Sequence, residues 1–190
     1  MQEEEASILQ HCARRELYSH TVFLTHPSSC RVELPMAILS LCLWLGFLSL
    51  SSSLSPTLSY GPSIQIHLAK KAASLAIAEA TANNWAMSVA VCDGGGDLMY
   101  FEKMDETQLG SVQVAQNKAR SAARFKRPTL EFQDALTAPD GLRVLSIEGA
   151  VPVEGGIPLV VEGRVVGAIG VSGGTSAQDG QCARCALDLI

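Results

Sequence analysis

GAVPVEGGIPLVVEGRVVGAIGVSGGTSAQD, residues 149–179, is the stretch whose reading decides the fold. Ile157 to Val161 and Val165 to Val171 are two short apolar runs rich in Val and Ile, the composition of buried strands. Glu162-Gly163 between them is a turn, so the spacing predicts two paired antiparallel strands. The run Gly167-Ala168-Ile169-Gly170-Val171 carries unusually small side chains, which leaves room for a backbone or a ligand to come close. Thr175 or Ser176 then caps a final helix, with Asp179 in its first turn at the positive end of the dipole. Gly173, Gly174 and Thr175 gather backbone N–H groups suited to an anion. A tight turn followed by an N-cap explains them equally well, and no Gly-Lys-Ser/Thr follows to complete a phosphate loop.

Upstream, the pattern alternates helix and strand. In Ser63 to Asn84, Ile64, Leu68, Ala72, Leu75, Ala76 and Ala80 recur at spacings of three and four, which predicts a helix closed by Asn83-Asn84. Met87 to Cys92 and Leu98 to Glu102 flank the turn Asp93-Gly94-Gly95-Gly96-Asp97 and make a hairpin. Asp93 and Asp97 at that turn serve the backbone rather than a metal. Ser111 caps a helix to Phe125, with Val112, Ala115, Ala119, Ala122 and Ala123 inside and Lys118, Arg120, Arg124 and Lys126 on its other face. Pro128 stops it, and Thr129 caps a shorter helix through Leu136. Residues 137–150 read as loop, with a short strand at Arg143 to Ser146. The hairpins and the absence of strand-helix-strand crossovers give an α+β sandwich: an antiparallel sheet of about five strands covered by helices.

Composition excludes several classes. Hydrophobic residues are 47% of the chain and charged residues 17%, too apolar for a disordered protein. The net charge is -5, and no basic block exceeds the Lys126-Arg127 or Arg14-Arg15 pairs, so nucleic acid is not a partner. Of six cysteines, Cys12, Cys30 and Cys42 lie before residue 60, and Cys92 sits in a strand pattern as a small core residue. Cys182 and Cys185 form a single CxxC with no second ligand pair, and His67 is the only histidine after residue 60; they read as two helix residues one turn apart, and no metal site is expected.

Residues 1–33 are polar and aperiodic. Leu34 to Leu50, LPMAILSLCLWLGFLSL, is nearly all apolar and followed by SSSLSPTLSYGPS. About 17 residues is short for a membrane span, which takes roughly 20, and suits the hydrophobic region of a secretory signal with small residues at 51–55 for cleavage. Residues 34–55 are therefore expected to be a signal peptide, giving a secreted or periplasmic protein, or an uncleaved signal anchor, which would be the only membrane contact. Met36 as the true start, with 1–35 a gene-model artefact, is a further reading. Residues 56–62 read as a linker, and 63–190 as the domain.

Three blocks in that domain are specific. AVCDGGGDLMYFEKMD (90–105), TQLGSVQVAQNKARSAARFKRPT (107–129) and the opening stretch (149–179) resemble, in order, the strand-turn-strand, central-helix and GGIP…GAIGVSGG…QD motifs of the GlcG/HbpS family, the haem-binding or haem-degrading (DUF336-type) group. The resemblance spans residues 60–189 and extends to the C-terminal domain of some cobalamin adenosyltransferases. Ser121, Lys103 and Trp85 stand where the family usually has Thr, Arg and Gly. The resemblance implies a profilin-like sandwich that self-associates, and haem or a related tetrapyrrole as ligand, for storage, sensing or protection.

Haem needs an axial donor, an apolar slot and cations for its propionates. His67 and Met104 are the candidate axial donors, with Met87, Met99, Tyr60 and Tyr100 behind them. Lys118, Arg120 and Arg124 are candidates for propionates or another anion, beside Gly173, Gly174 and Thr175. No Ser-His-Asp or Cys-His arrangement is available to one histidine so placed, and catalysis is left open. Two further readings stand: an enzyme or accessory protein acting on a small organic acid through the basic face, and a structural oligomer whose Ala/Gly-rich strand and helices pack closely between subunits.

Overall fold

A computed structural model describes residues 58–189. The expectations for residues 1–33, the apolar Leu34 to Leu50 segment, the Met36 start and Cys12, Cys30 and Cys42 lie outside the described residues. Within them the order is β1 (Ser59–Tyr60), α1 (Ile66–Ala82), β2 (Ser88–Asp93), β3 (Leu98–Lys103), α2 (Ser111–Phe125), α3 (Thr129–Ala135), a 3-10 helix (Gly141–Ser146), β4 (Gly156–Val161), β5 (Arg164–Ser172), α4 (Ser176–Cys185) and a 3-10 turn (Ala186–Leu189). No helix here is long and apolar enough to cross a membrane.

β5 is the hub of the five-stranded sheet. Its edge from Gly167 to Ser172 pairs antiparallel with β2, which pairs in turn with β3. The opposite edge pairs antiparallel with β4. Arg164 and Val165 also pair in parallel with Ser59 and Tyr60; because those two β5 residues already face β4, β1 continues the β2 side. The expected sandwich of about five strands is therefore present, with two corrections. The fifth strand is β1, inside the stretch read as a linker. Arg143 to Ser146 is not a strand but part of a 3-10 helix, where Leu142 and Leu145 at i and i+3 share one side.

The two faces of the sheet are packed differently. Val89, Val91, Ile169 and Val171 point to a face covered by the alanines of α1 and by Cys182 and Ala183 of α4. Ala90, Cys92 and Ala168 point to the other, covered by Ala115, Ala119, Ala122 and Ala123 of α2. On this second face helix and sheet nearly touch. A Cβ on Gly170 would run into the Ala115 carbonyl oxygen and the Ala119 backbone nitrogen. The small side chains of β5 thus admit the chain's own helix. That corrects the expectation that the Ala/Gly-rich elements pack between subunits: both surfaces are consumed inside one copy.

The caps also differ in detail. Gly110 and Pro128 are the N-caps of α2 and α3, so Ser111 and Thr129 are first helical residues, both buried. α1 starts at Ile66, three residues after the predicted Ser63, and ends as expected at Asn83, with Asn84 at φ 57°. Thr175 caps α4 in a reciprocal capping box with Gln178.

Candidate functional site

Lys118 was expected on the wet face of α2. It is 1% exposed instead, and its Nζ lies 2.6 Å from Asp179 Oδ2, itself on a 4% exposed side chain. This is a correction with a clear cause: Lys118 falls on the same three-and-four stripe as Ala115, Ala119 and Ala122, so the helix turns it inward. Its ammonium also donates to the Val171 carbonyl at 3.1 Å. Asp179 Oδ1 accepts from the Gly174 N–H at 3.0 Å, and the Gly173 N–H adds to the hold. Burial pulls the Lys118 ammonium below its ordinary value and pushes the Asp179 carboxyl above its own, while each partner opposes the shift of the other.

The N–H cluster at Gly173, Gly174 and Thr175 is therefore filled by the chain's own carboxylate, and the Thr175 N–H donates to Gln178 Oε1. An outside anion at these three residues or at Lys118 would have to displace a buried, neutralised group.

The other motif residues converge on the same corner. Gly155, at φ +126°, closes over the ion pair: a Cβ there would sit 2.9 Å from Lys118 Nζ and 2.8 Å from Asp179 Cβ. The Gly156 N–H donates to Thr129 Oγ1 at 2.9 Å, and the Val151 N–H donates to Ser121 Oγ at 3.1 Å. Glu154 takes Arg184 at 2.6 Å, and its own N–H donates to Gln133 Oε1. Sequence reasoning missed this network. The KARSA, PT, GG and QD motifs are the staples that hold residues 151–156 to α2, α3 and α4.

The remaining candidates sit elsewhere. Arg120 Nε donates to the Gly96 carbonyl at 3.3 Å and Arg124 Nε to the Gly95 carbonyl at 2.9 Å, so both lie along the β2–β3 turn. Asp93 Oδ1 accepts the N–H groups of Gly95 and Asp97, each at 2.9 Å, which bears out the turn reading. Arg124 also lines an open hollow of about 430 Å³ with Tyr60, Gly61, Ser63, Gly94 and Gly95. Tyr60 donates to the Arg124 carbonyl at 2.8 Å, and Lys126 sits 5.2 Å from the Tyr60 ring centre. His67 is exposed in the first turn of α1. Met104 is half-buried against the α1-side core, with its N–H donating to the Met87 carbonyl. The Tyr100 hydroxyl donates to Glu102 Oε2 at 2.9 Å, which raises its phenol above the ordinary value.

Among the described residues no group of three or more His, Cys, Asp or Glu is placed to hold a metal ion. Cys182 and Cys185 are buried on α4, and burial pushes the thiols of Cys92 and Cys182 up to about 12. Iodoacetamide should leave Cys92 and Cys182 unlabelled in the folded domain and label both rapidly in denaturant, as read by peptide mass spectrometry. Fast labelling of either in the folded state would contradict that burial.

A family model described as "Haem degrading protein HbpS-like" matches residues 64–188. Protein GlcG of Escherichia coli K12 is 37% identical over 112 residues, 57% of this chain and 83% of that protein. Klebsiella pneumoniae protein ORFY, a solved DUF336 structure, is 34% identical with a TM-score of 0.62, covering 69% of this chain and 92% of that one. A solved PduOC:heme complex is 27% identical with a TM-score of 0.61, covering 67% of this chain and 95% of that one. Each of these relatives is matched along 83% or more of its own length.

Proposed function

The chain belongs to the HbpS-like family, and from that premise we propose that its domain binds haem or a related tetrapyrrole, outside the cytoplasm, in storage, sensing or protection. The observation that carries the reading is the relative solved as a haem complex, matched along 95% of its length. The residues here fit such a ligand in two respects. His67 supplies an exposed imidazole, the donor that haem iron takes most readily. Arg124 offers a guanidinium at the rim of a hollow, where a propionate can be met, with its Nε already anchored to Gly95. Met104 is a weaker donor, because its side chain is engaged with the core. The export half of the proposal is supported by the apolar Leu34 to Leu50 segment alone.

Hemin titrated into residues 58–190 should give a saturable shift of the Soret band. His67→Ala should weaken binding by about tenfold or more, about 1.4 kcal/mol, and alter the band position. A spectrum that stays that of free hemin, with no saturation, would sink the proposal.

Arg124 and its hollow also favour a second reading, a small carboxylate as ligand, in an enzyme or accessory protein acting on organic acids. A carboxylate that binds there raises the melting temperature of the wild type and not of Arg124→Ala.

A further inference from the structure

No stretch of the sequence is strongly basic, yet the fold gathers cations at one end of the sheet. The last turns of α2 lie over the β2–β3 turn, where Arg120 and Arg124 hold the Gly96 and Gly95 carbonyls. Lys126, just past the helix, donates to the Leu58 carbonyl at 2.6 Å. Arg164 opens β5 beside Ser59. Lys70 and Lys71 are exposed in the second turn of α1, whose lead-in is tied to the same end of β5 by the Ile64 N–H on the Val166 carbonyl. Arg127 is offset by Glu131, 4.0 Å away. Against these six cations stand Asp93, Asp97 and Glu162 among the described residues, in a chain whose net charge is -5. Asp93 is already turned to the N–H groups of Gly95 and Asp97. Four large apolar side chains, each 41% to 48% exposed, belong to the same end. Tyr60 lies against Gly94, Ile66 opens α1, Leu98 follows the β2–β3 turn and Val161 pairs with Arg164.

We propose that this end of the domain docks on an anionic lipid bilayer. Clustered lysines and arginines are drawn to such a surface, and each one near it strengthens binding about fivefold. Half-exposed apolar side chains among them suit the headgroup boundary, where their bodies can be buried while the cations stay at the phosphates. The path of the chain points the same way. It enters the described residues at Leu58, in the grip of Lys126. Leu50, the end of the apolar Leu34 to Leu50 run, stands eight residues upstream, so at full extension the two are at most about 28 Å apart. With that run kept as an anchor, the tethered end of the domain and its basic end are the same end.

The inference is independent of haem, and its test needs none. Flotation with vesicles uses the full chain carrying Leu43→Gln, Leu45→Gln and Phe47→Gln, so that the apolar run does not insert by itself. That chain should bind vesicles of phosphatidylcholine with about one third phosphatidylglycerol at least about tenfold more tightly than phosphatidylcholine alone. Raising NaCl to about 0.5 M should erase the preference. Adding Lys70→Glu, Lys71→Glu and Arg164→Glu should erase it at low salt with the circular dichroism spectrum unchanged; all three positions are exposed, and none lines the Arg124 hollow. Lys103→Glu, at the other end of β3 opposite Ser88, should leave it within about twofold. Equal binding to the two kinds of vesicle at low salt overturns the proposal. So does a preference that survives the three reversals, or one that Lys103→Glu removes as fully. Suppression by inorganic phosphate at matched ionic strength also overturns it, since that marks a site for a free anion. Should the reversed chain misfold, Lys71→Gln with Arg164→Gln takes its place, and a preference left whole by that pair is equally fatal.

Discussion

Lys118→Met should lower the unfolding free energy of residues 58–190 by about 3–5 kcal/mol, because it strands the Asp179 carboxylate in a site closed by Gly155. A domain of this size has about 5–15 kcal/mol in all, so the variant stands close to the edge of folding. Asp179→Asn on its own strands the ammonium and should cost a similar amount. Combining Lys118→Met with Asp179→Asn removes both charges, while the amide oxygen still accepts the Gly174 N–H; most of the loss should return. The pH dependence separates this account from lost packing. Burial raises the Asp179 carboxyl, and in Lys118→Met the main opposing charge is gone. A folded-state value above the unfolded one means that the protonated form favours folding, so the variant's deficit should shrink as pH falls from 7.5 to 5. Urea midpoints at the two pH values decide it. A variant within about 1 kcal/mol of wild type, or one whose deficit grows in acid, contradicts the stapling role.

Gly170→Val should abolish cooperative folding. Its first added carbon meets the Ala115 carbonyl and the Ala119 nitrogen, both backbone atoms in the middle of α2, and neither can yield unless the helix lifts from the sheet. Lifting it would open the small-residue face and pull Lys118 from Asp179. A cost above about 4 kcal/mol is expected, beyond the usual range for one substitution. Gly170→Ala should fail in the same direction by a smaller margin. Gly110→Ala, whose methyl would meet nothing within 4 Å, is the matched control and should stay within about 1 kcal/mol of wild type. Native-like melting of Gly170→Val would show that the helix has more room than its packing implies.

Much of this was legible in the residues. The valines of β2 and β5, the glycine turns between strands and the alanine period of α1 and α2 place the core elements, because each is a local pattern with one physical reading. Lys118 shows where that reasoning fails. A lysine is so seldom buried that residue type outvoted position, although the three-and-four spacing from Ala115 to Ala122 pointed inward. A buried lysine needs a distant acid, and nothing in the helix itself announces that Asp179 waits 61 residues away. β1 was missed for a related reason: Ser59 and Tyr60 are strand only because Arg164 and Val165 accept them. Arg143 to Ser146 reads as a short strand until the tighter turn of the 3-10 helix sets Leu142 and Leu145 side by side. The candidate site was less legible than the fold. Many of the motif residues that identify the family hold it together, and of the exposed candidates His67 lies outside the three motif blocks while Arg124 lies within the second.

The position of β5 also sets the order of events at birth. It is the last strand to leave the ribosome, yet β1, β2 and β4 all hang from it. Until residue 172 is out, the early half of the domain is a hairpin and an alanine helix with no central strand to join, and distant pairing of this kind is slow to form. The sheet can therefore be completed only after β5 has been made.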